Sequence, residues 1–94
     1  MRFEWDEEKD AGNFAKHGVR FELAAEVFLD PYRLETVDDR FDYAEERIAV
    51  IGMVSLDVLF VVATERDADL IRLISARRAT KAEERRYFLS RAER

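Results

Sequence analysis

The stretch that decides the fold is residues 48–75, which read IAVIGMVSLDVLFVVATERDADLIRLIS. It contains three runs rich in β-branched residues, at 48–53, 58–66 and 70–75, and such side chains favour strands. Short turns at 54–57 and 67–69 separate the runs, so the strands are predicted to form an antiparallel meander. The middle run is apolar on both faces. This pattern is typical of a central strand that is covered on both sides, or by helices on one side and a partner protein on the other.

A short strand and a first helix are predicted at the start of the chain. The first residues alternate in polarity, with Phe3 and Trp5 directed inward. Asp6 has the side chain of a helix N-cap, and the acidic residues that follow it suit the first turn. We expect this helix to run to about His17, because Gly18 is the residue type that often follows a helix in a left-handed conformation.

A second helix and a further strand are predicted before the meander. Apolar side chains at positions 21, 24, 25 and 28 have the spacing of a two-turn amphipathic helix. The pair Asp30-Pro31 ends this helix, because proline cannot continue it. Residues 32–37 then predict a strand, and residues 38–46 a charged connection whose large apolar anchors are Phe41 and Tyr43.

The last predicted element is a helix whose first residue is marked by a capping motif. Thr80-Lys81-Ala82-Glu83 fits the T-x-x-E pattern of a capping box. The helix is basic and weakly amphipathic, and its charged face is either solvated or bound by an acidic partner; its arginines are Arg85, Arg86 and Arg91. The predicted order is β-α-α-β-β-β-β-α. This order indicates an α+β fold with a short N-terminal strand, two helices, a four-stranded antiparallel meander and a C-terminal helix.

Composition and charge limit the classes of function. The 94 residues are expected to form one domain, 1–94, and contain no cysteine, which excludes disulfides, thiolate metal sites and cysteine nucleophiles. The longest apolar run, 58–63, is too short to cross a membrane, and no secretory signal is evident, so we expect a cytoplasmic protein. The net charge is −5, but residues 1–65 hold 7 Lys/Arg against 16 Asp/Glu, whereas residues 66–94 hold 9 against 5. An acidic body thus carries a basic end.

Three stretches resemble the BrnT toxins in order and spacing: FEWDEEKDAGNFAKHGVRFELAAEVFLDP, EERIAVIG and TERDADLIRLISARRATKAEERRYF. The resemblance covers nearly all of the chain and implies a RelE-like fold. It also implies a cofactor-free, RNA-cleaving toxin of a type II toxin–antitoxin system that inhibits translation. A small ribbon-helix-helix antitoxin is expected to neutralise the toxin and to repress their operon, so that operator DNA is reached only through the antitoxin.

The sequence departs from the usual BrnT form in two places. Ala63 stands where relatives often have an aromatic or imidazole side chain, and the turn at 67–69 lacks the glycines common there. The first departure is expected to weaken activity. The second is expected to alter the register of the hairpin that it closes.

RNA cleavage needs few protein groups, because the 2′-hydroxyl of the ribose itself attacks the adjacent phosphorus. The protein supplies a base, an acid and positive charge for the phosphorane. Guanidinium groups pair with phosphate oxygens and stay protonated at any working pH. The candidate arginines are Arg66 and Arg72 for catalysis, and Arg47, Arg77 and Arg78 for binding RNA phosphates.

Arg72 is the first choice among these arginines. It lies between apolar residues on its own strand face, where it needs a counter-charge or an anionic ligand. If Thr64 pairs with Arg72, then Arg66 lies on the side of Arg72 and concentrates positive charge. If the register slips by one residue, Glu65 lies there instead and forms an ion pair. The sequence leaves both registers open.

The candidate proton carriers are His17, Glu65, Tyr87 and, as a lesser choice, Lys81. His17 is equally interpreted as a cation at the end of a helix, and Glu65 as a member of a surface ion pair. Tyr87 is either a site residue or a contact to a partner. Arg77 and Arg78 precede a helix N-terminus that favours anions, although an arginine pair in a loop can also serve solubility alone.

No metal site or cofactor is expected. The chain has one histidine, and no glycine-rich phosphate loop is present. Carboxylates such as Asp38, Asp39 and Asp42 have no recognisable ligand spacing. Two functions therefore compete. One is a metal-independent endoribonuclease that leaves a 2′,3′-cyclic phosphate or 3′-phosphate end; the other is a toxin-fold interaction module without turnover, for which Ala63 is the best support.

Overall fold

A five-stranded sheet forms the centre of the structure, a computed structural model that describes residues 1–38 and 46–94. Its strands are β1 (Arg2–Glu4), β2 (Leu34–Asp38), β3 (Arg47–Val54), β4 (Asp57–Asp67) and β5 (Leu70–Arg78). They lie in the order β1-β5-β4-β3-β2, with β1 parallel to β5 and the other neighbours antiparallel. The α+β prediction is confirmed. The N-terminal strand joins the predicted four-stranded meander as a fifth strand.

The sequence predictions for residues 39–45 lie outside the described part of the chain. They concern the connection after β2, with Phe41 and Tyr43 as its apolar anchors, and the carboxylates of Asp39 and Asp42.

Side-chain caps define both ends of the first helix, α1 (Glu7–His17). The Asp6 carboxylate accepts hydrogen bonds from the backbone N–H groups of Glu8 and Lys9, at 2.8 and 3.2 Å. Gly18 follows in the left-handed region with a φ of 73°. Both predicted caps are confirmed, and they satisfy backbone groups that a helix end leaves without partners.

The second predicted helix has two parts. Phe21–Ala24 forms α2, and Ala25–Leu29 continues it as a 3-10 helix up to Asp30. The Asp10 carboxylate of α1 caps α2 by accepting a hydrogen bond from the N–H of Phe21 at 2.8 Å. The following strand begins at Leu34, later than predicted, because the Asp30 carboxylate holds a turn by accepting the N–H of Tyr32 at 2.9 Å.

The last helix, α3 (Lys81–Ala92), begins with the predicted capping box. The Thr80 hydroxyl accepts the N–H of Glu83 at 3.2 Å, and the Glu83 carboxylate accepts the N–H of Thr80 at 2.8 Å. In the described part of the chain, no helix combines the length and the apolar character that crossing a membrane requires.

The hairpin turns explain how the meander closes without glycine. Ser55 adopts a left-handed φ of 54° in the turn between β3 and β4. In the turn between β4 and β5, the Asp67 carboxylate accepts the N–H groups of Asp69 and Leu70 at 2.9 and 3.0 Å. An aspartate side chain therefore makes the contacts that fix this turn, which contains no glycine. A register irregularity lies beside the turn, between Glu65 and Asp67.

The two faces of the sheet are covered differently. Alternate residues of β4 define them: Leu59, Val61 and Ala63 on the back face, and Val58, Phe60, Val62 and Thr64 on the front face. The back face packs against α2 and the 3-10 helix in the main core. On the front face, Tyr87 of α3 packs with Ile51 and Val58 and covers one end. The other end of the front face carries the candidate site.

A buried asparagine attaches α1 to the sheet. The side-chain amide of Asn13 donates to the carbonyl groups of Val19 and Ala76, at 2.8 and 2.9 Å. Its oxygen accepts the N–H of Ala76 at 3.1 Å. Val19 and Ala76 both belong to the core on the back face, so α1 lies in the layer behind the sheet.

Candidate functional site

An irregularity in β5 decides which arginines share a face. Val62 pairs with Ser75, whereas the next residue of β4, Ala63, pairs with Leu73, which leaves Ile74 as an extra residue. The alternation of β5 therefore shifts at this point. Arg72 pairs with Thr64 and Arg77 with Phe60, so both arginines lie on the front face. Arg78 pairs with Leu59 and lies on the back face.

Arg66 and Arg72 converge on the Glu4 carboxylate, and we call these three residues the Glu4 cluster. Nη1 of Arg72 lies 3.1 Å from Oε2 of Glu4, and Nε of Arg66 lies 3.8 Å from the same oxygen. The side chains remain partly exposed, by 29% for Arg72, 42% for Arg66 and 38% for Glu4. The cluster thus presents two guanidinium groups and one carboxylate that solvent, and therefore a ligand, can reach.

Glu4 is the site residue that sequence reasoning missed. Arg72 was expected to need a counter-charge, and the parallel pairing of β1 with β5 places Glu4 directly beside it. The alternation of Phe3 and Trp5 toward the core already indicated that Glu4 points to the other face. The sequence did not show that β1 adjoins β5.

The register question is resolved by the pairing of Thr64 with Arg72. This is the alternative in which Arg66 lies on the side of Arg72. Glu65 pairs with Ile71 and points to the back, where it lines a cavity away from the Glu4 cluster.

A row of polar side chains crosses the front face beside the cluster. The Thr64 hydroxyl is buried and donates a hydrogen bond to the carbonyl of Glu46 at 2.9 Å. The next residue, Arg47, begins β3 and pairs across the strands with the buried Asp38 of β2. Arg47, Thr64 and Arg72 therefore occupy neighbouring positions on β3, β4 and β5.

Arg77 and Arg78 make other contacts. The Arg77 guanidinium binds both carboxylate oxygens of Glu83, at 2.8 and 3.0 Å, and lies 4.2 Å above the Phe60 ring. The Arg77 guanidinium also holds the pKa of Glu83 below its usual value. Arg78 contacts Asp57 at 2.6 Å. Arg77 thus supports the start of α3 on the front face, while Arg78 lies on the other side of the sheet.

The predicted proton carriers are not brought to the Glu4 cluster. His17 ends α1, which lies in the layer behind the sheet. Tyr87 is fully buried, and its hydroxyl donates to Oδ2 of Asp30 at 2.5 Å. Burial and the Asp30 carboxylate raise the pKa of Tyr87 to about 12. Lys81 is exposed in the first turn of α3.

Ala63 is completely buried on the back face, opposite Leu73. The small side chain at position 63 therefore belongs to the core behind the sheet and not to the front face.

A cavity of about 360 Å³ lies on the back of the sheet, away from the Glu4 cluster. Apolar side chains, including Phe28, Ile48 and Ile71, line it together with carboxylates such as Glu65 and Asp69. Arg33 and the N-terminus of Met1 also line the cavity, and each pairs with one of its carboxylates. Among the residues that the structure describes, no three His, Asp or Glu side chains are grouped closely enough to hold a metal ion.

Comparison with known proteins finds a matching family model and similar solved structures. The family model for the ribonuclease toxin BrnT of type II toxin–antitoxin systems matches residues 5–83. The crystal structure of the Brucella abortus ribonuclease toxin BrnT is similar with a TM-score of 0.65 and 31% sequence identity, covering 86% of this chain and 99% of the Brucella chain. No curated protein sequence matches significantly. The matched residues include Arg66 and Arg72 and begin just after Glu4.

Proposed function

Since the chain belongs to the BrnT family of ribonuclease toxins of type II toxin–antitoxin systems, we propose that it cleaves RNA at the Glu4 cluster. The observation that carries this proposal is the convergence of Arg66 and Arg72 on one anionic group. Within the Glu4 cluster two guanidinium groups accompany one carboxylate, and positive charge of this kind binds the negative charge of a phosphodiester. The partial exposure of all three side chains allows an RNA backbone to approach.

In the proposed reaction, Arg66 and Arg72 bind the non-bridging oxygens of the scissile phosphate. The 2′-oxygen forms a bond to phosphorus, and the bond from phosphorus to the 5′-oxygen breaks. Negative charge grows on the non-bridging oxygens in the transition state, where fixed guanidinium groups stabilise it. The products are a 2′,3′-cyclic phosphate and a 5′-hydroxyl end. Because arginine supplies the positive charge, the proposed reaction is independent of metal ions.

Arg47 extends the proposed RNA-binding surface along the front face. It begins β3, next to the carbonyl that binds Thr64, and so lies at the neighbouring strand position. We assign to it a neighbouring phosphate of the same RNA strand. The guanidinium of Arg77 is bound to Glu83 in the first turn of α3. Arg77 therefore contributes to this surface indirectly, because it holds α3 in place.

The BrnT family also implies an antitoxin partner. We propose a ribbon-helix-helix antitoxin that covers the basic outer surface of α3 and carries the contacts to operator DNA. The residues of that surface are the exposed Arg85, Arg86 and Arg91. Released from its antitoxin, the toxin cuts RNA in the cytoplasm and so inhibits translation.

The test compares Arg72→Ala and Arg66→Ala with a matched control, Arg33→Ala. Arg33 is also 29% exposed and paired with a glutamate, Glu35, but lines the cavity on the back of the sheet. Purified protein is incubated with RNA in the presence of EDTA, and the new ends are identified. We expect cleavage by wild type and by Arg33→Ala, and a rate lower by about 100-fold in each variant of the cluster. Equal loss in all three variants contradicts the proposed site.

The alternative function is an interaction module that binds the antitoxin without turnover. The observation that favours it is that Arg66, Arg72, Arg77 and Arg78 each contact a carboxylate of the chain itself. Expression of the chain alone separates the two functions. Arrested growth with fragmented RNA supports the ribonuclease, whereas normal growth with intact RNA supports the interaction module.

A further inference from the structure

We propose that Glu4 is the general base of RNA cleavage, accepting the proton of the attacking 2′-hydroxyl. This inference rests on the proposed function and adds a catalytic residue to it. Cleavage requires a proton acceptor close to the scissile phosphate. Of the candidates predicted from sequence, His17 and Glu65 lie behind the sheet, and Tyr87 is buried against Asp30. Lys81 is exposed in the first turn of α3, and no contact joins it to the arginine pair among the described residues. Among the residues that the structure describes, Glu4 is a carboxylate in contact with both arginines.

The geometry fits this role. Both arginine contacts of Glu4 are made to Oε2, at 3.1 Å from Arg72 and 3.8 Å from Arg66. The carboxylate therefore lies beside the two groups that bind the phosphate, with Oε1 as the oxygen that accepts the proton. We infer that a phosphate bound by the same two arginines brings the adjacent ribose close to this oxygen. The 38% exposure of the Glu4 side chain leaves room for that approach.

The position of Glu4 is fixed by its neighbours in the sequence. Phe3 packs on Phe28 with ring centroids 5.4 Å apart, and Trp5 packs edge-on against Phe21 at 6.2 Å. Both aromatic residues are anchored behind the sheet, so the side chain between them must point to the front. A base held in this way needs little reorganisation when the substrate binds.

The proton balance of the step is simple. The 2′-hydroxyl proton passes to the Glu4 carboxylate as the oxygen–phosphorus bond forms, and the departing 5′-oxygen takes a proton from water. The neutral carboxyl group of Glu4 then returns its proton to solvent. The step needs no oxidant, reductant or further reactant.

If Glu4 is the general base, the substitution Glu4→Gln is expected to change kcat and KM differently. Loss of the base lowers kcat by about 100-fold. Loss of a negative charge beside the phosphate leaves KM unchanged or lowers it, because the cluster gains net positive charge. A residue that only positions the arginines behaves differently, since glutamine still offers an oxygen to Arg72 and preserves most of kcat.

The experiment measures kcat and KM on a labelled mixed-sequence oligoribonucleotide at constant ionic strength. The matched control is Glu35→Gln, which removes the charge of a glutamate that is 39% exposed and 2.6 Å from Arg33 on the back of the sheet. Glu35→Gln is expected to cleave like wild type. A second variant, Glu4→Ala, is assayed with added formate or acetate, and we expect these small carboxylates to restore part of kcat while chloride does not.

The possible outcomes separate this inference from the proposed function. Low kcat with unchanged or lower KM in Glu4→Gln, together with rescue of Glu4→Ala by formate, supports Glu4 as the base. The inference is overturned if Glu4→Gln keeps a near-normal kcat, or if small carboxylates fail to rescue Glu4→Ala. In either case, RNA cleavage by the wild type still supports the proposed function. A wild-type protein that binds the oligonucleotide but leaves it whole overturns both.

Discussion

Replacing Tyr87 by phenylalanine tests whether this residue serves the fold or the chemistry. The hydroxyl of Tyr87 donates to Asp30, whose carboxylate also accepts the N–H groups of Met53 and Tyr32 at 2.8 and 2.9 Å. These contacts tie α3 to the turn before β2 and to β3. Tyr87→Phe removes one hydrogen bond and keeps the ring, so it creates no large cavity.

The expected loss follows from the charge of the acceptor. A hydrogen bond to a charged group contributes about 1.5–3 kcal/mol to folding. Two backbone donors remain on Asp30, so we expect the free energy of unfolding to fall by about 2 kcal/mol. For a domain of this size, such a loss lowers Tm by roughly 8–16 °C.

The loss of stability in Tyr87→Phe also depends on pH, because the hydrogen bond is made to the ionised carboxylate of Asp30. Burial raises the pKa of Asp30, but the hydrogen bonds from Tyr87, Met53 and Tyr32 outweigh it and hold that pKa below its ordinary value of 3.8. The stabilisation is therefore fully present above the pKa of the unfolded chain and is lost as pH falls through the folded pKa. We expect the difference in stability between wild type and Tyr87→Phe to be constant near neutral pH and to shrink below about pH 4.

Urea denaturation followed by circular dichroism, from neutral pH to pH 3, measures both effects. The control is Tyr32→Phe, because the Tyr32 hydroxyl makes no hydrogen bond to the residues that the structure describes. RNA cleavage by Tyr87→Phe, assayed well below its Tm, is expected to keep its wild-type kcat. The reasoning is refuted if Tyr87→Phe unfolds within about 0.5 kcal/mol of wild type, or if it is stable but inactive.

Three further substitutions test the fold. Asn13→Ala removes three buried hydrogen bonds, two between α1 and Ala76 of β5 and one to the carbonyl of Val19 in the connection after α1. It is expected to cost about 3 kcal/mol of stability in urea denaturation, and a loss below about 1 kcal/mol contradicts this. Ser55→Gly relieves a left-handed φ of 54° and is expected to raise Tm, with a gain of up to about 1 kcal/mol; a lower Tm would speak against strain in this turn. Gly52→Ala places a Cβ 3.0 Å from Cβ of Val27 and is expected to destabilise the protein by about 1–3 kcal/mol. Unchanged stability of Gly52→Ala would mean that the 3-10 helix can move away from the sheet.

The local elements of the fold could be read from the sequence. Asp6, Gly18 and the Thr80–Glu83 capping box were recognised because each acts on backbone groups within three or four residues. The strands of the meander were recognised from β-branched residues between short turns. Their exact ends differ, as at Leu34, because a carboxylate outside the strand holds the preceding turn.

The candidate site was predicted only in part. The basic end of the chain drew attention to Arg66 and Arg72, which the structure does bring together. The side-chain chemistry of His17 and Glu65 predicts proton transfer, but both residues lie on the other side of the sheet. The type of a residue indicates which chemistry its side chain can perform. The pairing of the strands determines which other side chains it contacts.

By itself, the sequence determined the α+β class, the caps and the basic end, since these depend on interactions between near neighbours. The tertiary structure alone decided that Arg77, and not Arg78, shares a face with Arg72, because one extra residue at Ile74 shifts the alternation of β5. It also placed Glu4 beside Arg72, 68 residues away. Strand register and long-range pairing depend on the packing of the whole sheet, which no local pattern contains.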